Sequence, residues 1–194
     1  MSTRTPSRRT WLTAPLMVAL LVLGVPATGV DAGTGTATEI AVGGWHTCAL
    51  KPDLTVWCWG WDLDGQLGDG TTGDSNQQRL LPVQVHRGVG MLTNVTAITA
   101  GLYHTCALRT DATVWCWGYN EHGELGDGTT GDANFARLLP VHVRRGSGIL
   151  TNVMAISAGP YHTCAVRTDL TVWCWGDDEQ GQLGDGTTGG ASHR

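Results

Sequence analysis

The chain has 194 residues, of which 28 are glycine, 9 tryptophan and 6 cysteine, and its formal net charge is −5. This length suits about one domain, and glycine at about twice its average usage is typical of a protein rich in turns. Residues 33–194 carry 9 basic and 16 acidic side chains, a net charge of −7, which disfavours binding to a phosphate backbone, so we expect no nucleic-acid partner.

The first 32 residues have the pattern of an export signal. A basic start precedes an apolar stretch centred on residues 16–25, and the small residue Ala32 suits cleavage before Gly33. We therefore expect residues 1–32 to be a signal peptide and residues 33–194 to form the mature protein. The expected location is secreted or at the cell surface.

The sequence allows two export routes. Arg8 and Arg9 resemble the twin-arginine export signal of bacteria, but paired arginines also occur in an ordinary secretory signal. A retained membrane anchor is less favoured, because the apolar stretch is short and lies between Pro15 and Pro26. We expect no membrane span after cleavage.

The rest of the chain repeats one motif with a period of 58 residues. Residues 43–100 and 101–158 are identical at 39 of 58 positions, without insertion or deletion. Such a period indicates stacked structural units. The repeated motif reads "HTCALKPDLTVWCWG" at 46–60, "HTCALRTDATVWCWG" at 104–118 and "HTCAVRTDLTVWCWG" at 162–176. The units are predicted at about 39–80, 81–138 and 139–189.

Each unit predicts four short strands. In the second unit these are residues 139–143 or their predecessors one period earlier, residues 81–85, followed by 95–100, 104–108 and 113–117. They are rich in β-branched and aromatic side chains and separated by Gly, Asp and Asn clusters. In the last strand, Val114 and Cys116 lie on one face, and Trp115 and Trp117 on the other. Because both faces are apolar, we expect each sheet to be covered on both sides by neighbouring sheets, as in a β-propeller.

The ordered recurrence of "HTCAL", "TVWCWG" and "GQLGDG" resembles the regulator of chromosome condensation (RCC1-like) repeat family across residues 39–189. The resemblance, to the secreted bacterial type, implies an all-β fold of four-stranded propeller blades, of which family members have seven. Three units are fewer than the four to eight that close a ring. We therefore expect an incomplete propeller or a fragment of a seven-bladed one, a truncated gene product, with self-association through open blade edges as the alternative.

The hairpin turn departs from the family pattern. The family usually has glycine at the turn positions occupied here by Leu54, Ala112 and Leu170. Glycine is the residue best suited to a positive φ. These three turns therefore lack the residue that the resemblance implies.

The six cysteines allow two interpretations. A hairpin that places Cys48 opposite Cys58 brings the two residues within disulfide range, whereas zinc bound by His46, Cys48 and Cys58 lacks a fourth ligand. A calcium loop at residues 62–70 is disfavoured because Glu is missing from its last position. We expect disulfides and no metal or cofactor, with the pairs Cys48–Cys58, Cys106–Cys116 and Cys164–Cys174.

The function expected is protein binding. No catalytic motif is recognisable, so we do not expect an enzyme, and the tryptophans are expected to pack in the core. The resemblance implies a secreted or cell-surface interaction module with an unknown protein partner. A secreted enzyme inhibitor resembling β-lactamase inhibitory protein, of the same fold, and a non-functional truncated fragment are the alternatives.

The partner is expected at one variable loop of each unit. The only run of four consecutive differences between the first two units follows the Trp-x-Trp-Gly motif. Equivalent loops should line one rim and offer aromatic and acidic side chains, a composition typical of binding hot spots. The candidate residues are Trp61, Asp62, Leu63, Asp64, Tyr119, Asn120, Glu121, His122, Asp177, Asp178, Glu179 and Gln180.

Overall fold

The computed structural model describes residues 33, 35–131 and 135–189, together with the backbone of Ser192 and His193. The predicted signal peptide, residues 1–32, lies outside the described residues. Over the described ranges the chain consists of strands and turns, and it has no helix that could cross a membrane.

Three four-stranded antiparallel sheets follow one another, and within each sheet every strand pairs with the next one along the chain. Blade 1 contains β1 (Glu39–Val42), β2 (His46–Leu50), β3 (Val56–Trp61) and β4 (Gln78–Gln84). Blade 2 contains β5 (Val95–Ala100), β6 (His104–Arg109), β7 (Val114–Tyr119) and β8 (Ala136–His142). A small ribbon follows, formed by β9 (Arg144–Arg145) and β10 (Gly148–Ile149). Blade 3 contains β11 (Val153–Ala158), β12 (His162–Arg167), β13 (Val172–Gly176) and β14 (Ser192–His193).

The blades begin and end at positions other than those of the predicted units. Strand β4 pairs with β3, so residues 81–84 belong to blade 1 and not to the second unit; β8 pairs with β7 in the same way. Of the two predicted alternatives for the remaining strand of the second unit, the backbone pairing favours residues 139–143 over residues 81–85, and the boundaries between blades lie a few residues after 80 and 138. A period of 58 residues fixes the length of a unit, but only the backbone pairing decides which strand is its first.

The central hairpins have the predicted register. Cys48 lies opposite Cys58 and Leu50 opposite Val56, and the Lys51 N–H donates to the Thr55 carbonyl at 2.9 Å. The cysteines form disulfides with Cα atoms 4.1 Å apart, which confirms the predicted pairs Cys48–Cys58, Cys106–Cys116 and Cys164–Cys174.

The apolar core lies between the blades. One cluster joins Leu67 and Val85 of the blade 1 repeat to Trp117 of blade 2. The next joins Val114 and Cys116 to Trp175 of blade 3. The predicted opposite directions of Val114 and Trp117 are thus confirmed. Among the described residues, blade 2 is covered on both faces, whereas blades 1 and 3 each have one face that no other blade covers.

A buried histidine connects each blade to the next. His46 Nε2 lies 2.8 Å from Thr105 Oγ1, and the Thr105 hydroxyl donates to the Gln66 carbonyl at 3.0 Å. Because the hydroxyl has one hydrogen, His46 Nε2 must be the donor to Thr105. His104 pairs with Thr163 at the same distance. Burial lowers the pKa of His46 to about 4 and of His104 to about 3, so both rings are neutral at neutral pH.

Candidate binding surface

One edge of the blades carries aromatic side chains that the hairpin geometry brings together. Gly60 has a φ of 106°, and a Cβ at this position would lie 2.5 Å from the Trp45 carbonyl oxygen. The glycine therefore allows the start of β2 and the end of β3 to meet. A backbone N–H···O=C bond joins the residue after the glycine to the residue before the histidine, as in Trp61 to Trp45 (2.8 Å), Tyr119 to Tyr103 (3.0 Å) and Asp177 to Tyr161 (2.9 Å).

Ring contacts make this edge continuous from blade 2 to blade 3. The ring centroid of Tyr119 lies 6.0 Å from that of Tyr103 and 5.4 Å from that of Phe135. His122 lies 6.0 Å from Tyr161 of blade 3, edge to face. We call the set the aromatic rim and define it as Trp45, Trp61, Tyr103, Tyr119, His122, Phe135 and Tyr161.

The aromatic rim opens into a cleft between blades 1 and 2. Its volume is about 340 Å³, and its lining residues are Trp45, Trp61, Leu63, Asp64 and Tyr103. Asp64 occupies the position that His122 has in the second repeat, facing the next blade. Burial raises the pKa of Asp64. The cleft thus combines three aromatic rings with one partly desolvated carboxyl group.

Three of the predicted binding residues form hydrogen bonds inside their own loops. Asp62, Asn120 and Asp178 are buried, each with at most 1% of its surface exposed. In each loop the side-chain Oδ1 accepts the N–H of the leucine five residues later, at 2.9 to 3.0 Å. These three side chains offer almost no surface to a partner, so we leave them out of the proposed contact surface. Asp and Asn can both supply the required oxygen, which is why the residue varies while the loop is kept.

A second side chain supports each loop from inside. Gln66 Oε1 accepts the Asp64 N–H at 3.0 Å, and Glu124 Oε2 accepts the His122 N–H at 2.9 Å. Burial raises the pKa of Glu124 and that of Asp62 to about 7. Carboxyl groups that burial makes easier to protonate therefore lie inside the loops beneath the rim.

The other candidates lie at the surface of the chain. The hydroxyl of Tyr119 donates to the Glu121 carboxylate, and burial raises the pKa of this tyrosine. These candidates are exposed or half-buried: Trp61, Leu63, Asp64, Tyr119, Glu121, His122, Asp177, Glu179 and Gln180. They present a mixed aromatic and acidic surface on the same edge.

Sequence reasoning missed the other half of the rim. Trp45 is 66% exposed, which contradicts its expected core position, whereas Trp117 and Trp175 are buried as expected. Tyr103, Tyr161 and Phe135 were not candidates. A usable signal was present, because the residue before the histidine is aromatic in all three repeats and precedes the strand.

Three successive four-stranded meanders with cores between them define an arc of a β-propeller. The chain belongs to the family described as the regulator of chromosome condensation (RCC1) repeat. One model of this family matches residues 55–108 and 111–166, and a second matches residues 37–66, 95–124 and 154–182.

The relatives are longer proteins of different function. The chain is 32% identical over 164 residues to the ultraviolet-B receptor UVR8 of Arabidopsis thaliana, an alignment covering 84% of this chain and 34% of the receptor. It is 33% identical over 143 residues to the E3 ubiquitin-protein ligase HERC2 of Homo sapiens, covering 74% of this chain and 3% of the ligase. Prp20p of Saccharomyces cerevisiae has the same fold, with a TM-score of 0.67 and 23% identity over 80% of this chain and 36% of that one. The chain thus spans about a third or less of these relatives.

Proposed function

We propose that this chain is an extracytoplasmic protein-binding module that holds its partner on the aromatic rim. The observation that carries the proposal is the continuous row of partly exposed aromatic rings bordered by carboxylates. Exposed tryptophan and tyrosine provide large contact areas with few rotamers to immobilise, and they are enriched among binding hot spots.

The extracytoplasmic location is supported by the cysteines and the N-terminal pattern. All six cysteines are paired, and disulfides persist in oxidising compartments. Residues 1–32 have the pattern of a signal peptide. Cleavage before Gly33 and export to the medium or the cell surface are part of the proposal.

The cleft favours a basic group on the partner. Arginine and lysine are attracted to the faces of tryptophan and tyrosine, and a nearby carboxylate adds to this attraction. Trp45, Trp61 and Tyr103 supply the rings, and Asp64 supplies the carboxylate. An arginine or lysine side chain of the partner would fill the cleft while its neighbours cover the rim.

The relatives support binding in general and leave the partner open. Prp20p is described with its binding to Gsp1p and histones, and yeast RCC1 (Prp20) has been solved bound to Kap60. These partners belong to those proteins. The partner of this chain should instead be found in the compartment to which it is exported.

The rim can be tested with a partner captured from culture by the immobilised chain. We expect Trp61→Ala and Tyr119→Ala each to weaken binding by about 2 kcal/mol or more, because each removes a large aromatic contact. Val89→Ala is the matched control, since Val89 is fully exposed on a turn outside the rim. Undiminished binding by the Trp61→Ala, Tyr119→Ala double variant would exclude the rim.

The cleft has its own test. Asp64→Asn keeps the shape of the side chain and removes the charge, so the affinity for a basic partner should fall and depend less on salt. Glu179→Gln removes an exposed carboxylate from the blade 3 loop and serves as the control. Equal losses from both variants would contradict a basic group in the cleft and indicate general electrostatic attraction.

Inhibition of a β-lactamase is one specific form of this proposal, in which the rim would cover an active site. The purified chain, titrated into an assay of a secreted β-lactamase, should then inhibit stoichiometrically. Trp61→Ala should relieve the inhibition. Absence of inhibition would remove this form and leave the binding proposal to its own test.

A further inference from the structure

The two interfaces between blades are built from the same contacts, one repeat apart. At the first, His46 pairs with Thr105 at 2.8 Å, and the Trp117 indole N–H donates to the Gln66 carbonyl at 2.9 Å. At the second, the pairs are His104 with Thr163 at 2.8 Å and Trp175 with the Glu124 carbonyl at 2.8 Å. Each blade therefore offers a histidine face to the next blade and a tryptophan face to the preceding one.

The open faces of blades 1 and 3 carry these same two sets of residues. On blade 1, Ile40, Thr47 and Trp59 are the repeat equivalents of Ile98, Thr105 and Trp117. We call this the tryptophan outer face. On blade 3 the equivalents of His104, Val114 and Leu125 form the histidine outer face, which consists of His162, Val172 and Leu183.

The exposed fractions of equivalent side chains show that no blade covers these faces. Ile98 is 5% exposed inside the first interface, whereas its equivalent Ile40 is 65% exposed. Val114 is completely buried, whereas its equivalent Val172 is 65% exposed. The same aliphatic side chain is thus buried in one repeat and exposed in another. Such an exposed apolar surface suits a further blade.

We propose that the two outer faces bind one another between copies of this chain, head to tail. His162 of one copy would pair with Thr47 of the second copy, and the Trp59 indole of the second copy would donate to the Gln182 carbonyl. Val172 and Ile40 would then be buried as their equivalents are. The interface continues the geometry already formed twice within the chain, so it needs no new mode of recognition.

The smallest closed assembly is a dimer. Two copies, each with the three blades formed by the described residues, give six, which lies within the range of about four to eight blades that close a propeller. Both interfaces of such a dimer are identical, and no outer face remains free. The proposal is independent of the partner bound at the aromatic rim, because the rim lies at the edge of the blades and not on these faces.

The test is the mass of the purified chain in solution, measured by sedimentation from micromolar to sub-millimolar concentrations. We expect twice the monomer mass. Ile40→Asp should disable the tryptophan outer face, and Val172→Asp the histidine outer face, so each variant alone should be monomeric. Both residues are exposed, so neither change should disturb the fold of the monomer, which circular dichroism would check.

Two control variants should leave the dimer intact. Val89→Asp lies at an exposed turn outside both faces, and Tyr119→Ala lies on the rim.

Mixing the two disabled variants distinguishes head-to-tail pairing from other pairings. The Ile40→Asp chain keeps its histidine face and the Val172→Asp chain keeps its tryptophan face, so an equimolar mixture should form a heterodimer through one restored interface. A wild-type chain that stays monomeric would overturn the proposal. So would a dimer that persists in either variant alone, or a mixture in which both remain monomers.

Discussion

At the scale of single residues, the hairpin turns hold non-glycine residues in a left-handed conformation. Leu54, Ala112 and Leu170 have φ values of 62°, 59° and 64°. In the first turn, Asp53 Oδ1 accepts both the N–H of Thr55 at 3.2 Å and its hydroxyl at 2.6 Å, which fixes the turn. The carbonyl of Leu54 then accepts the Val95 N–H of blade 2 at 3.1 Å. The same aspartate–threonine contact is present in all three turns, and the bond to the next blade is present at Leu54 and Ala112.

Leu170 offers a test of this strain, because it is 76% exposed and its side chain contributes little packing. We expect Leu170→Gly to raise the free energy of unfolding by roughly 0.5–1 kcal/mol, since a left-handed residue costs about 1–2 kcal/mol and glycine's greater freedom in the unfolded chain offsets part of the gain. Urea unfolding would measure the change. Leu170→Ala keeps the unfavourable φ and is the control; equal stability of the two variants would contradict the account.

At the scale of the strand pair, the three disulfides have the same connectivity and different surroundings. The four cysteines of blades 1 and 2 are completely buried, whereas Cys164 and Cys174 face the open side of blade 3 and are half-buried. Each closes a loop of the same length, so the stabilisation by chain entropy is similar, about 2–3 kcal/mol. Access for a reducing thiolate is what differs.

We therefore expect a mild reductant at neutral pH to open Cys164–Cys174 before the other two disulfides. Alkylation and mass spectrometry of samples taken during the reaction would give the order. In denaturant the three bonds should be reduced at similar rates, which separates protection by the fold from intrinsic reactivity. The chain to test is the Val172→Asp variant, because its blade 3 stays open under the assembly proposed above. Equal rates for its three disulfides in the folded state would contradict the expectation.

The histidine–threonine pair between blades is a second element with a matched control. Thr105→Val removes the acceptor of His46 Nε2–H and the donor to the Gln66 carbonyl, and both groups are buried. We expect a loss of about 1–3 kcal/mol in the free energy of unfolding, because a buried polar group left without a partner costs about this much. Thr47→Val makes the same change at the half-buried outer face and should cost much less in dilute monomer. Equal losses would show that the hydrogen bonds are not the cause.

At the scale of the whole molecule, the sequence is informative about whatever is local and repeated. The strand from Val95 to Ala100 follows from its β-branched residues and the turn residues that flank it, and the hairpin register follows from the short turn. The phase of the blades was not predictable, because it depends on the pairing of β3 with β4 across a long loop. The buried state of Asp62 was hidden for a related reason: a residue that varies between repeats looks like surface, but Asp and Asn bind the same leucine N–H.

The pH dependence of the free energy of unfolding is also a property of the whole molecule, because titrating groups in different blades contribute to it. Two buried carboxyl groups, Asp62 and Glu124, have folded-state pKa values of about 7, well above their unfolded values. As the pH falls from 7, the folded state takes up their protons first, so stability rises. His46 and His104 have lowered pKa values, so below pH 6.5 the unfolded state takes up their protons first, and stability falls.

These opposite effects should offset one another in part in the wild-type chain between about pH 6.5 and 4.5, and a double variant can separate them. The repeats themselves supply the substitutions: Asn120 stands at the position of Asp62, and Gln66 and Gln182 at that of Glu124. Asn120 Nδ2 donates to Asp127 and Thr129, and an Asn at 62 has Asp69 and Thr71 at the equivalent positions.

We expect the Asp62→Asn, Glu124→Gln variant to be more stable than wild type at pH 8, because the penalty of two buried charges is gone. Below pH 6.5 its stability should fall by up to about 2–3 kcal/mol per pH unit, the contribution of two histidines. Urea unfolding at a series of pH values would measure both curves, and a variant whose profile stays parallel to that of the wild type would show that these carboxyl groups do not titrate between the two states.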